Sequence, residues 1–104
     1  MGSYRSRLDI TADILQVVSQ NAKKTHIMYQ ANLSYKVLKR YLRDLTAASL
    51  MSFEIAEQCY VITTKGQAFL EAYKEYAKTN ARIEKRLNDV ESKKRKLEKL
   101  CANR

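Results

Sequence analysis

Residues 24–45 read KTHIMYQANLSYKVLKRYLRDL and contain two helical patterns separated by a turn. The first is short, with Ile27 and Met28 facing inward, and we expect Thr25 to cap it. The second begins at Ser34, and its apolar and basic residues recur three or four positions apart on opposite faces. The apolar face consists of Val37, Leu38, Tyr41, Leu42 and Leu45, and the basic face of Lys36, Lys39, Arg40 and Arg43.

The flanking segments add one helix and a β-hairpin. Upstream, Ser6 followed three residues later by Asp9 is typical of a capped helix start, and a helical apolar repeat continues to Val18. Downstream, residues 52–55 alternate in polarity and residues 59–62 are largely β-branched or aromatic. This pattern predicts two short strands joined by a polar turn.

A long helix is predicted at the end of the chain. Thr64 and Gln67 form a capping box, and a helix over 65–100 would be about 54 Å long. The predicted fold is mainly α with a small β-hairpin: a winged helix-turn-helix followed by a long C-terminal coiled-coil helix. We therefore divide the chain into a DNA-binding head, residues 1–64, and a dimerisation helix, residues 65–104.

Length and charge narrow the function. The chain has 104 residues, which suffice for one hydrophobic core but not for two. Lys and Arg number 20 against 11 for Asp and Glu, so the net charge is +9, which favours a polyanionic partner such as nucleic acid. No apolar run approaches a membrane span and no secretory signal pattern is found. We expect a cytoplasmic protein with no membrane partner.

Catalytic and metal chemistry are not expected. Cys59, Cys101 and the single histidine, His26, cannot supply four zinc ligands, so neither a metal nor a cofactor is predicted. The two cysteines are either free thiols of a cytosolic protein or a pair in an oxidising compartment. The sequence has no glycine-rich phosphate loop and no nucleophile arrangement that one histidine could complete. We therefore predict that the protein is not an enzyme.

The long helix has a heptad pattern, and its a and d positions form a seam. Two seam residues are polar, and the rest would be exposed to water in an isolated helix. Dimerisation would bury them and contribute several kcal/mol per chain, at about 25 cal/mol per Å². The alternative is a helix packed on its own domain. The predicted dimer interface is Tyr73, Tyr76, Asn80, Ile83, Leu87, Val90, Lys94, Leu97 and Cys101.

An antiparallel pairing suits the seam best. In a parallel pair Lys94 would face its own copy in the partner subunit. The four cations of residues 93–96 would also lie beside the same four cations of the partner. In an antiparallel pair Leu87 meets Ile83 of the partner subunit, and the Lys94 stem lies along a tyrosine ring. This geometry would hold two heads on the order of 50 Å apart. The charged flanking positions would pair better in a parallel coil, so that alternative stays open.

Three segments carry a family resemblance: 24–35, of which 27–35 is the most specific part, Arg40-Tyr41-Leu42, and Ile62-Thr63-Thr64-Lys65-Gly66. In them the sequence resembles the small archaeal winged-helix chromatin proteins of the ten-kilodalton class, over about residues 7–100. The resemblance implies a nucleoid-associated dimer that binds DNA with low sequence selectivity, joined by an antiparallel coiled coil, and acts on nucleoid architecture or transcription. The hairpin segment 54–58 departs from a usual wing, because it carries two carboxylates and no Lys or Arg.

Double-stranded DNA is the expected partner. Each Lys or Arg that neutralises a phosphate releases condensed counterions, so affinity should fall as salt rises. A helix-turn-helix presents the N-terminal part of its second helix to the major groove, and the start of the preceding helix suits a phosphate. The predicted DNA-binding residues are Lys23, Lys24, Thr25, Ser34, Tyr35, Lys36, Lys39, Arg40 and Arg43.

Some roles stay open at this point. Arg40 and Arg43 could each bind guanine bidentately or hold a phosphate, and Tyr35 could stack near DNA or pack inside the head. Arg5 and Arg7 could reach the DNA backbone as an N-terminal arm. Two other function classes remain: a ligand-responsive winged-helix transcriptional regulator, and a protein-interaction adaptor that does not bind DNA.

Overall fold

The computed structural model describes residues 5–102 and confirms the predicted fold class, a mostly helical chain with a two-stranded hairpin and a long C-terminal helix. Residues 1–4 and 103–104, the outer ends of the two predicted domains, lie outside the described part. The elements are α1 (Arg7–Val18), α2 (Lys24–Gln30), α3 (Tyr35–Ala47), β1 (Met51–Glu54), β2 (Cys59–Ile62) and α4 (Thr64–Cys101).

Helix α1 begins with the predicted capping box. The Ser6 hydroxyl accepts a hydrogen bond from the Asp9 N–H at 3.1 Å, and the Asp9 carboxylate accepts one from the Ser6 N–H at 3.0 Å. Two of the N–H groups that a helix start leaves without intrahelical partners are thereby satisfied. After the helix ends, Asn21 adopts a positive φ of 57°, and the chain turns toward α2.

Helix α2 begins two residues earlier than the sequence predicts. Lys23 is the N-cap and makes no side-chain capping bond, so Thr25 lies inside the first turn and the prediction that it caps the helix is wrong. A basic residue cannot accept a hydrogen bond from a helix N–H, which leaves those amides open to another acceptor. The turn to α3 contains Asn32 at φ 55°, and the Ser34 hydroxyl accepts from the Val37 N–H at 3.3 Å to cap α3.

The first strand of the hairpin is shifted by one residue from its predicted position, and the second lies at the predicted residues, Cys59–Ile62. Strands β1 and β2 pair antiparallel, with Phe53 opposite Tyr60, and Ile55 lies in the turn rather than at the end of a strand. Gln58 adopts a φ of 54° at the end of that turn. Ala22 forms an isolated bridge with Tyr60 through two backbone hydrogen bonds of 2.8 and 3.1 Å, which tie the hairpin to the segment before α2.

The core is formed by the inward faces of the first three helices, the hairpin and the first turns of α4. Leu38 on α3 is fully buried, so the apolar face that the sequence predicts for this helix is confirmed. Complete burial of such a side chain contributes about 1.5–3 kcal/mol. The largest fully buried side chains are Ile14, Leu15, Val18, Ile27, Leu38 and Met51.

Helix α4 is capped by Thr63 rather than by the predicted Thr64. The Thr63 hydroxyl accepts from the Gly66 N–H at 3.0 Å and donates to the Ser49 carbonyl at 2.7 Å. The compact unit around the core continues along α4 to Tyr73, because the first turns of α4 pack against it. The functional division at residue 64 therefore stays a prediction.

Residues 74–102 form the second unit, which consists of the remainder of α4. Nearly all of its side chains are exposed, including most of the apolar ones that the heptad pattern assigns to the seam. No helix within residues 5–102 is long and apolar enough to cross a membrane. The same residues contain no group of three His, Cys, Asp or Glu side chains suited to a metal ion. Cys59, buried, and Cys101, exposed, are both free.

Candidate nucleic-acid interface

The outer face of α3 is cationic. The buried face packs Leu38 and Leu42 into the core, and the 3.6-residue period turns the basic side chains of the same helix outward. The N-terminal turn of α3 carries no acidic residue. The four cations of this face, all exposed, are Lys36, Lys39, Arg40 and Arg43.

All nine predicted DNA-binding residues are exposed. Three of them form a cluster where the start of α2 meets the start of α3. The Lys24 Nζ lies 5.3 Å and the Lys39 Nζ 5.8 Å from the centre of the Tyr35 ring. These distances are within the range of cation–π attraction. Tyr35 is 52% exposed, so of its two predicted roles packing inside the head is wrong.

The cationic surface continues into a groove between α3 and the hairpin, with a volume of about 470 Å³. We call it the α3–hairpin groove. It is lined by basic side chains on its helical side and by aromatic side chains on its hairpin side. The lining residues are Lys24, Lys39, Leu42, Arg43, Thr46, Ala47, Phe53 and Tyr60.

Sequence reasoning missed the two aromatic residues of this groove. Phe53 and Tyr60 are cross-strand partners, and their rings meet edge to face with centroids 5.0 Å apart. The sequence pattern places both in strands of a hairpin, which predicts packing but not which helix faces them. The available signal was a phenylalanine next to the polar turn, where a strand end is exposed to solvent.

The hairpin turn supplies no cation. Lys23 donates from its Nζ to the Glu57 carbonyl at 3.2 Å, so this predicted DNA-binding residue is joined to the turn. The Glu54 and Glu57 side chains are exposed there. A polyanion is therefore attracted to the helical side of the groove and repelled by the turn.

The expectation that Arg5 belongs to a DNA-contacting arm is wrong. Its guanidinium donates to the Asp13 carboxylate at 2.7 Å and to the carbonyls of Ala31 and Asn32 at 2.7 and 3.0 Å. These bonds join the segment before α1 to the end of α2 and use three of the five N–H donors of the guanidinium. Arg7 is exposed, and its guanidinium lies 5.7 Å from the Tyr41 ring centre.

Tyr73 is the seam residue with the most contacts to the core. Its ring stacks on Phe69 with centroids 6.3 Å apart, and its hydroxyl donates to the Asp9 carboxylate at 2.5 Å. This bond, followed by the one from the Ser6 N–H, lowers the pKa of Asp9 below its ordinary value, because both donors stabilise the carboxylate. The other eight seam residues are exposed.

The match to known proteins is clearest at the family level. The family model for winged helix-turn-helix proteins matches residues 4–81, which is well over half of the chain. The chain belongs to the winged helix-turn-helix family. Within this winged helix-turn-helix, α2 and α3 are the two helices joined by the turn, and the β1–β2 hairpin is the wing. A search of curated protein sequences gave no significant match.

Two solved structures are similar to this chain in fold. Sso10a-2, a DNA-binding protein from Sulfolobus solfataricus, is 24% identical, and the match covers 96% of this chain and 100% of that one with a TM-score of 0.67. A mutant of ZitR from Lactococcus lactis is 16% identical, and the match covers 89% of this chain and 68% of that one with a TM-score of 0.51. At these levels of sequence identity, the similarity to the two structures shows a shared fold only.

Proposed function

We propose that this protein binds double-stranded DNA as a homodimer, with low sequence selectivity, and acts in nucleoid architecture or transcriptional regulation. The observation that carries the proposal is the exposed cationic face of α3, supported by Lys24 at the start of α2. Sso10a-2, which has a similar fold over its whole length, is a DNA-binding protein. The protein would then work at the nucleoid in the cytoplasm, as a binding protein rather than an enzyme.

The chemistry of the α3 face suits a phosphate-dominated complex. Lys36 and Lys39 would hold phosphates as point charges, and Arg40 and Arg43 could also form the bidentate bonds that recognise guanine. Arg43 has Asp44 at 3.8 Å, a contact between half-exposed groups that DNA can displace at little cost. With the wing lacking cations, the α3 face would supply most of the base and phosphate contacts.

The seam supports the dimer. Its apolar members on residues 74–102 are exposed along one heptad seam, in which Asn80 and Lys94 are the polar positions, and an apolar stripe of that length is typical of a helix that pairs with another helix. A second copy offers the same stripe. Antiparallel pairing avoids the juxtaposition of the two Lys94 side chains, so we propose that direction.

Electrophoretic titration of duplex DNA at several salt concentrations tests the proposal. The wild-type protein should shift arbitrary duplexes, and the logarithm of its affinity should fall linearly with the logarithm of the salt concentration. The triple variant Lys39→Gln, Arg40→Gln, Arg43→Gln should bind at least about tenfold more weakly, with a salt slope smaller by about 3. Substitution of exposed residues should leave the fold intact.

A charge-matched variant provides the control. Lys93→Gln, Arg95→Gln, Lys96→Gln removes the same charge from α4, and we expect its duplex affinity to stay close to that of the wild type. Equal losses in the two triple variants would mean that net charge alone, and not the α3 face, governs binding. Absence of any duplex shift at low salt would refute the proposed function and favour the adaptor.

A further inference from the structure

The α3–hairpin groove has two chemically different sides. Lys24, Lys39 and Arg43 line the helical side, and Phe53 and Tyr60 line the hairpin side. A second hollow of about 290 Å³ adjoins it and shares three of its lining residues, with Gln58 as the addition. The aromatic pair therefore borders two neighbouring spaces.

The aromatic side is partly open to solvent. Phe53 is 42% exposed although it lies in a strand, and the half-buried Tyr60 packs with it in an edge-to-face arrangement. Part of the Phe53 side chain is therefore left uncovered and can receive another ring. Tyr35, with Lys24 and Lys39 beside its ring, adds a second exposed aromatic side chain next to the groove.

A regular DNA duplex does not present base faces to an exposed ring, because its bases are stacked and only their edges are accessible in the grooves. An unpaired nucleotide does, since every base has a π-face that stacks on an aromatic side chain. Cations spaced along one wall then hold the phosphates. The carboxylates of Glu54, at the end of β1, and Glu57, in the hairpin turn, would repel phosphates. They would thereby keep the backbone of the nucleic-acid strand on the helical side of the groove.

We propose that the α3–hairpin groove binds single-stranded nucleic acid, with a base stacked on Phe53 and the phosphates held by Lys24, Lys39 and Arg43. This activity goes beyond duplex binding, since it uses base faces where the duplex offers edges. It shares some cations with the proposed duplex surface, so a single strand and a duplex compete for the protein.

Fluorescence anisotropy with three labelled probes tests the proposal: an oligothymidylate, an abasic strand of the same length, and a duplex. The abasic strand keeps the phosphates and removes the bases, so it isolates stacking. Wild type should bind oligothymidylate about tenfold more tightly than the abasic strand. Phe53→Leu should abolish that preference without changing duplex affinity, and Phe53→Tyr should restore it. An oligouridylate probe shows whether RNA strands bind equally.

A tryptophan reporter gives a second readout. The natural chain contains no tryptophan, so Phe53→Trp introduces the only indole. Stacking of a base should quench its emission when oligothymidylate is added, whereas the abasic strand should not. Ile55→Trp, in the exposed hairpin turn, is the matched control and should show little quenching.

The outcomes separate this proposal from the proposed function. Equal affinity for thymidylate and abasic strands would overturn it, as would a parallel loss of duplex and single-strand binding in Phe53→Leu, which would make Phe53 part of the duplex surface. Retention of Phe53-dependent strand binding in a protein that fails to bind duplex would support it and refute the duplex proposal.

Discussion

At the scale of single residues, Gly66 has no room for a side chain. A Cβ built there would lie 2.1 Å from the Leu50 carbonyl oxygen and 2.7 Å from the Ile62 Cγ1. The close contact is to backbone, which cannot rotate away as a flexible side-chain end would. Gly66 therefore lets the first turn of α4 approach the segment that precedes β1.

We predict that Gly66→Ala destabilises the protein. In an unconstrained helix Gly→Ala raises the free energy of unfolding by about 1 kcal/mol, because alanine has the higher helix propensity. Here the clash with the Leu50 carbonyl should reverse the sign, so that Gly66→Ala lowers the free energy of unfolding by about 1–3 kcal/mol. Urea unfolding followed by circular dichroism measures the difference, with Gln67→Ala, at an exposed neighbour, as control. A stabilised Gly66→Ala variant would show that α4 can move away from Leu50.

At the scale of elements, the sequence predicted each helix and the hairpin, but not which faces meet. The cationic face of α3 could be predicted because a single period sorts the residues of one helix into two faces. Neither the α3–hairpin groove nor the Arg5 contacts could be predicted, because both depend on residues from separate elements. The starts of α2 and α4 lie two residues and one residue before their predicted positions, because Lys23 and Thr63 are the N-cap residues.

The bond between Tyr73 and Asp9 joins α4 to α1 and makes the stability of the compact unit sensitive to acid. The Tyr73 hydroxyl, the Ser6 N–H and the Arg5 charge lower the pKa of Asp9 in the folded state. A group whose pKa is lower when folded stabilises the protein above its unfolded-state pKa, and this contribution is lost as pH falls through the folded-state pKa.

We therefore predict that Tyr73→Phe lowers the free energy of unfolding at neutral pH, and that the difference from wild type narrows as the pH falls below about 4, the ordinary pKa of an aspartate, and through the lower folded-state pKa of Asp9. Thermal or urea unfolding of both proteins at several pH values measures this difference in the free energy of unfolding. Tyr29→Phe removes a hydroxyl from a side chain that is 80% exposed and should have little effect at any pH. A pH-independent difference would mean that Tyr73 contributes only through its ring.

At the scale of the whole molecule, the proposed dimer depends on the seam. Leu87, 60% exposed in the single chain, lies near the middle of the seam and would face another apolar layer in an antiparallel pair. Leu87→Lys should weaken the dimer about a hundredfold or more, because it removes apolar contact and places a charge in each of two central layers.

Light scattering across a concentration series measures this change. Ala81→Lys adds the same charge at an exposed position outside the seam and should leave the dimer intact. An unchanged mass for Leu87→Lys would locate the interface elsewhere. If the wild-type protein is itself monomeric at high concentration, the seam does not form a homodimer.

The Arg5 guanidinium, held by Asp13 and the carbonyls of Ala31 and Asn32, cannot also insert into a minor groove. The acidic wing is equally unsuited to that narrow, electronegative channel. Among the described residues, the α3 face would then make most of the duplex contacts, from the major groove. This protein could then share base pairs with small dyes that fill the minor groove of A·T-rich DNA. Methyl groups added in the major groove would instead obstruct binding of the protein.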